Sequence, residues 1–109
     1  MPYQAFNQTF RFMSQTAFEV VRRFAQDNSP ITFEELRNYF SGGPGFFRNL
    51  VHRSSEQRVR KHRERFSRDS FPVADERHVV VTNQWTKVRF EEFAKYCAGL
   101  DNRYQIEEI

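Results

Sequence analysis

The stretch His78-Val-Val-Val-Thr-Asn-Gln-Trp85, together with residues 88–97 that follow it, decides the predicted fold. Three consecutive β-branched valines favour a strand that is packed on at least one face. The amides of Asn83 and Gln84 end this apolar run, and Trp85 comes next. In residues 88–97, apolar side chains recur at three- and four-residue steps, which predicts one apolar face of a helix. The stretch therefore predicts a strand, an aromatic anchor and a helix, and we expect Trp85 to be largely buried between the strand and the helix.

The residues on either side of this unit predict further strands. Phe71-Pro72-Val73 is typical of a short edge strand, because proline has no N–H group for a central ladder. Residues 74–78 then form a turn, so we predict a β-hairpin. After the helix, the alternation of Tyr104 and Ile106 is compatible with a third strand.

The N-terminal part predicts an amphipathic helix at residues 14–26. Apolar residues from Phe6 to Phe24 recur at steps of three and four. The spacing of Thr16 and Glu19 is that of a capping box, which would start the helix midway. The preceding Phe-rich turn either continues the helix or packs beside it. The apolar stripe fits a core, and the alternative is a surface that binds a partner or a second copy in a homodimer.

A second helix is predicted to begin at a capping box formed by Thr32 and Glu35. Ile31 precedes the cap and can contact Leu36, and Ser41-Gly42-Gly43 would end the helix. We expect the glycine-rich residues 42–45 to be a connector. Two short helices joined by a tight turn fit a helix-turn-helix core, and equally any small helical bundle. The predicted buried residues of the second helix are Phe33, Leu36, Tyr39 and Phe40.

Positive charge is concentrated in one block of the chain. Residues 1–47 carry four basic and four acidic side chains, and residues 69–109 carry five basic and eight acidic ones. Residues 48–68 carry eight basic side chains against two acidic ones, a net charge of +6, although the whole chain has a net charge of only +3. Most charged helices are simply solvated, but a solvated face normally mixes the two signs. This block therefore indicates a surface for a polyanion.

Residues 55–66 predict a basic helix with two apolar anchors. Val59 and Phe66 lie seven positions apart and therefore on the same side. We predict that this helix lies along or in the major groove of duplex DNA, where its cations contact phosphates. One of its arginines could also recognise a guanine base. The turn near Arg77 would be a wing that touches the adjacent backbone. The predicted nucleic-acid-binding residues are Arg58, Arg60, Lys61, Arg63, Arg65, Arg68 and Arg77.

The C-terminal residues resemble a small module that recurs in prokaryotic and phage proteins, many of them associated with DNA restriction or of unassigned function. In that module a hairpin strand ending in Asn-Gln-Trp-Gly leads to a helix and a terminal Tyr-x-Ile strand. The chain departs from the module in two places. Thr86 stands where the module has glycine, and Glu76-Arg77-His78 stands where it has an Asp-Gly turn. The resemblance implies helices followed by a β-hairpin, similar to a winged helix. The residues that carry it are Arg65-Phe66, Asp69, Phe71-Pro72-Val73, Asp75, Val79 to Trp85, Phe90, Phe93 and Tyr104-Gln105-Ile106.

No catalytic pattern accompanies these elements, so we predict that the protein is not an enzyme. Cys97 is the single cysteine and falls on an apolar helix face, which predicts a buried structural thiol. The three histidines and this thiol give no short-spaced ligand set, so we predict no metal and no cofactor. Asn83 and Gln84 are predicted to bond to neighbouring backbone, with recognition of a base edge as the alternative. The chain shows no secretion signal and no long apolar run, which predicts a cytoplasmic protein without membrane contact.

These patterns together predict a single domain over residues 1–109. Its class is α+β and winged-helix-like, with about four helices and a small antiparallel β-hairpin or three-stranded sheet. We predict a small regulatory or accessory protein that binds nucleic acid, with duplex DNA favoured. The alternative is a phage-type or accessory module that binds an acidic protein surface and thereby inhibits or modulates a host nucleic-acid enzyme.

Overall fold

The computed structural model describes residues 2–41 and 50–109 of the chain. This part contains four helices and two small antiparallel sheets, so the predicted α+β class is confirmed. Single turns of 3-10 helix lie at Arg63–Arg65 and Asn102–Tyr104. The helices and strands, in chain order, are β1 (Tyr3–Ala5), β2 (Gln8–Phe10), α1 (Met13–Asp27), α2 (Phe33–Ser41), β3 (Val51–Arg53), α3 (Gln57–Lys61), β4 (Phe71–Val73), β5 (Glu76–Val81), α4 (Lys87–Leu100) and β6 (Glu107–Glu108).

The two sheets each have three strands, in the orders β2-β1-β6 and β3-β5-β4. The predicted hairpin is present as β4 and β5, and β4 is an edge strand as its proline requires. The C-terminal strand, however, is Glu107–Glu108 and pairs with β1, whereas Tyr104 lies in a 3-10 turn. The third strand of the hairpin sheet is β3, in which Val51 pairs with Val81. This topology does not confirm the winged-helix-like arrangement.

The N-terminal Phe-rich residues form a β-hairpin that packs beside α1, the second of the two predicted options. Its turn places Phe6 at φ 55° and Asn7 at φ 60°, a left-handed conformation that asparagine tolerates better than phenylalanine. The helix spans Met13–Asp27, close to the predicted residues 14–26. The predicted capping box within it is wrong, because the Thr16 hydroxyl donates to the carbonyl of Phe12 at 2.9 Å. Thr16 is thus a buried residue within α1.

The start of α2 confirms the second capping box. The backbone N–H of Thr32 donates to Glu35 Oε1 at 3.0 Å, and the N–H of Glu35 donates to Thr32 Oγ1 at 3.2 Å. Phe33, Leu36 and Phe40 are fully buried as predicted, but Tyr39 is 47% exposed. The helix reaches Ser41, and the predicted connector at residues 42–45 lies outside the described residues.

Helix α1 lies between the two sheets and contacts β1 and β2 on one side and β4 and β5 on the other. The valines of β5 divide between two clusters, because successive strand residues face opposite sides. Val79 and Val81 join the main core with α1, α2 and α4, whereas Val80 packs in a separate cluster with Val59 and Phe66. The sheet is therefore covered on both faces, which explains why its central strand is a continuous apolar run.

Trp85 links the end of this sheet to α4. Its Nε1 donates to the carbonyl of Thr82 at 3.0 Å, and its ring lies 5.5 Å from Phe90 and 5.0 Å from Phe93. The side chain packs on the core while remaining partly exposed, so the aromatic anchor is present but less buried than predicted. Helix α4 begins one residue before Val88, which is 67% exposed and lies outside the buried face. Cys97 is fully buried, as predicted.

Candidate functional site

The positively charged residues 57–68, called here the basic segment, do not form one long helix. Helix α3 covers only Gln57–Lys61, His62 leaves the helical region at φ −124° and ψ 50°, and a 3-10 turn follows at Arg63–Arg65. The prediction of a helix over residues 55–66 is therefore wrong. Five helical residues span only about 7.5 Å, too little for an extended recognition helix in a major groove.

Beyond the 3-10 turn, the basic segment pairs with the end of β5. Phe66 forms an isolated antiparallel bridge with Thr82. The N–H of Ser67 donates to the carbonyl of Val81 at 2.7 Å, and the N–H of Val81 donates to the Ser67 hydroxyl at 3.0 Å. These bonds need extended backbone at residues 66 and 67, so the chain cannot continue as a helix.

Two apolar residues hold the basic segment on the outer face of the hairpin sheet. Val59 is fully buried and Phe66 is 6% exposed, and both pack against Val80. The prediction that they lie on one side is confirmed, although no continuous helix joins them. The ring of His52 meets that of Phe66 edge to face, with centroids 5.1 Å apart.

Asn83 fixes the 3-10 turn of the basic segment. Its side-chain amide donates to the carbonyl of Glu64 at 2.9 Å and to that of Phe66 at 3.2 Å. Its backbone N–H donates to the carbonyl of Arg65 at 3.0 Å. The predicted role of Asn83 in binding neighbouring backbone is confirmed. Gln84 donates to the Asn83 side-chain oxygen at 3.0 Å and so supports the same contact.

Glu56 secures the other end of the basic segment, just before α3. One carboxylate oxygen lies 3.1 Å from Nδ1 of the buried His52, and the other accepts the backbone N–H of Arg53 at 2.7 Å. Burial by itself raises the pKa of Glu56, but hydrogen bonds from His52 and the Arg53 backbone outweigh it, and the charge of Arg37 adds to them. The net result is a lowered pKa, so this carboxylate is engaged with its own neighbours.

The basic segment forms a shallow open pocket, called here the basic pocket. It contains the three cations Arg58, Lys61 and Arg65, although α3 ends at Lys61 and Arg65 lies in the following 3-10 turn. Neither of the two glutamates of this region, Glu56 and Glu64, lines it. The five lining residues are Gln57, Arg58, Lys61, His62 and Arg65.

The other predicted contact residues do not line the basic pocket. Arg63 donates to the carbonyls of Ser67 at 2.7 Å and Arg68 at 3.0 Å, so its guanidinium closes the loop of its own segment. Arg60 and Arg68 are exposed outside the pocket. Arg77 is an exposed residue of β5 next to the hairpin turn that was predicted to be the wing.

Two pocket residues were not among the predicted contacts. Gln57 and Lys61 are four positions apart, as are Arg58 and His62, so helical spacing alone could have grouped them. Arg37 was also assigned to the neutral half of the chain, yet its charge lowers the pKa of Glu56. No sequence signal points to that effect, because it depends on how α2 packs.

Outside the basic pocket, the described chain has neither a cluster of metal ligands nor an activated cysteine. Within residues 2–41 and 50–109 there is no group of three or more metal-ligating side chains. Burial raises the pKa of the Cys97 thiol, which makes it a poor nucleophile. Ser70 Oγ lies 3.1 Å from His78 Nδ1, but both residues are exposed. No described helix is long and apolar enough to cross a bilayer.

Comparison with protein-family models finds no match for this chain, and searches of curated proteins and of solved structures likewise return no significant match.

Proposed function

We propose that this protein is a small regulatory or accessory factor that binds nucleic acid through the phosphates, using the basic pocket, and that it is not an enzyme. The observation that carries the proposal is the grouping of Arg58, Lys61 and Arg65 in one concavity that no carboxylate lines. Such a grouping suits phosphate oxygens, which accept charge-assisted hydrogen bonds from guanidinium and ammonium groups.

The anchoring of the basic segment supports a binding role over a merely solvated face. Asn83 and Arg63 bond to carbonyls of its backbone, and Val59 and Phe66 hold it on the sheet. Glu56, the residue just before it, is bonded to the backbone of Arg53. A fixed backbone limits the conformational entropy that the pocket loses when a ligand binds.

The short helix favours phosphate contacts over reading of base edges. Phosphate contacts position a protein on nucleic acid without carrying sequence information. We therefore expect binding of duplex DNA with little sequence preference and with an affinity that falls as salt rises.

The test reverses the charge of the three cations of the basic pocket. We expect Arg58→Glu, Lys61→Glu and Arg65→Glu together to abolish the shift of a short DNA duplex in a gel mobility assay, because three attractive contacts become repulsive. The melting temperature of each variant is measured first, so that loss of fold is recognised separately.

The matched control reverses three exposed cations elsewhere, with Arg11→Glu, Arg89→Glu and Lys95→Glu. Arg22 and Arg23 are unsuitable for this purpose because both donate to Glu19. The control has the same change in net charge and should keep most of the affinity. Equal losses in the two variants would show that only net charge matters. Absence of duplex binding by the native protein at low salt would instead favour an acidic protein surface as the partner.

A further inference from the structure

The shape of the basic pocket distinguishes it from a track for a nucleic-acid backbone. A track would spread its cations along a line, so that each meets a different phosphodiester. Here Arg58, Lys61 and Arg65 line the same concavity as Gln57 and His62. Several cationic and polar side chains therefore border one concavity.

The charge of the pocket exceeds that of one phosphodiester. Arg58, Lys61 and Arg65 contribute three positive charges, and no carboxylate lines the pocket. An internal phosphodiester carries a single negative charge, whereas a phosphate monoester carries about −1.5 to −2 at pH 7 and presents three acceptor oxygens. The monoester is the better electrostatic match.

The backbone that carries this grouping is held by hydrogen bonds at several points. Asn83 holds the carbonyls of Glu64 and Phe66, on either side of Arg65. The guanidinium of Arg63 donates to the carbonyls of Ser67 and Arg68, and so it bonds within its own loop. Glu56 is engaged by His52 and the Arg53 backbone at the other end.

We propose that the basic pocket holds the terminal phosphate of a nucleic-acid strand, so that the protein prefers phosphate-bearing ends to internal backbone. This inference rests on the proposed nucleic-acid binding and specifies the group that occupies the site. Arg58, Lys61 and Arg65 neutralise the monoester, while Gln57 and His62 offer further polar contacts at its rim.

The experiment measures affinity by fluorescence anisotropy for two short duplexes of identical sequence, one with terminal phosphates and one with terminal hydroxyls. We expect the phosphate-ended duplex to bind about tenfold more tightly, since it adds charge-assisted hydrogen bonds at the pocket. Inorganic phosphate should remove this preference in the native protein, whereas chloride at equal ionic strength should not.

Matched neutral variants locate the preference. The double variant Lys61→Gln/Arg65→Gln should bind both duplexes equally, whereas Arg60→Gln/Arg68→Gln, outside the pocket, should weaken both while keeping their ratio. A native ratio near one with duplex binding intact would overturn this inference and leave the proposed function standing. A ratio that persists in Lys61→Gln/Arg65→Gln would also overturn it. Failure to bind either duplex would overturn both proposals.

Discussion

Asn83 shows how one side chain connects the strand that organises the fold to the candidate site. It follows the valine run of β5 and donates two side-chain hydrogen bonds to carbonyls of the basic segment. An amide is suited to this position because one NH₂ group supplies two donors. The same asparagine that ends the strand thereby positions the backbone around Arg65.

We expect Asn83→Ala to weaken duplex binding and to lower the free energy of unfolding by about 1–2 kcal/mol, because two carbonyls lose their partners. Chemical denaturation and anisotropy titration measure the two effects. Gln105→Ala, which removes an exposed amide away from the basic segment, is the matched control. An Asn83→Ala variant with native affinity would show that the pocket does not need this support.

At the element scale, the two capping-box spacings of the sequence have different outcomes in the structure. Both Thr16/Glu19 and Thr32/Glu35 have capping-box spacing, but only the second pair forms one. In the first pair, Thr16 is buried within α1 and Glu19 accepts from Arg22 and Arg23. The hairpin that precedes α1 allows the helix to start earlier than the local signal indicates.

Thr32→Ala should lower the free energy of unfolding by about 1 kcal/mol, because α2 loses its N-cap acceptor. Thr32→Ser keeps the hydroxyl and should retain most of the stability. Urea denaturation compares the two variants with the native protein. Equal destabilisation by serine and alanine would indicate that the threonine methyl, and not the cap, stabilises α2.

At the scale of the whole molecule, α1 joins two sheets into one core, and the basic segment covers the face of the hairpin sheet turned away from that core. Glu19 in α1 and Glu56 before α3 each have a carboxyl group that is hydrogen-bonded by neighbouring residues. Burial raises the pKa of Glu19, but hydrogen bonds from Arg22 and Arg23 outweigh it, so the pKa falls below its ordinary value of 4.5. The pKa of Glu56 is lowered in the same sense by His52 and the Arg53 backbone.

These two carboxyl groups should make the protein less stable in acid. Because their folded-state pKa values are lowered, they stabilise the fold above the ordinary glutamate value of 4.5, and the contribution is lost as the pH falls through the folded-state values. We expect Glu19→Gln/Glu56→Gln to show a flatter decline of melting temperature below that pH. The control Glu91→Gln/Glu92→Gln changes two exposed residues of α4 and should follow the native curve. Identical curves for all three proteins would contradict this assignment.

The sequence by itself determined the features that depend on neighbouring residues. The valine run of β5, the edge strand with its proline, the capping box of α2 and the helices α1 and α4 follow from periodicity and local hydrogen bonding. The grouping of Arg58 with Lys61 also follows from their three-residue spacing on α3, whereas Arg65 joins the same pocket from beyond the break at His62.

Only the tertiary structure decided which strands pair and where the basic helix ends. The C-terminal strand pairs with β1 and not with the hairpin, since strand pairing depends on contacts between residues far apart in the chain. Likewise, Ser67 donates to the carbonyl of Val81 in β5, and Asn83 donates to the carbonyl of Glu64 in the basic segment. These bonds stand in place of the helix that local propensity predicts. With these long-range bonds, the basic segment is a short helix and a turn around a shallow basic pocket, and not one long basic helix.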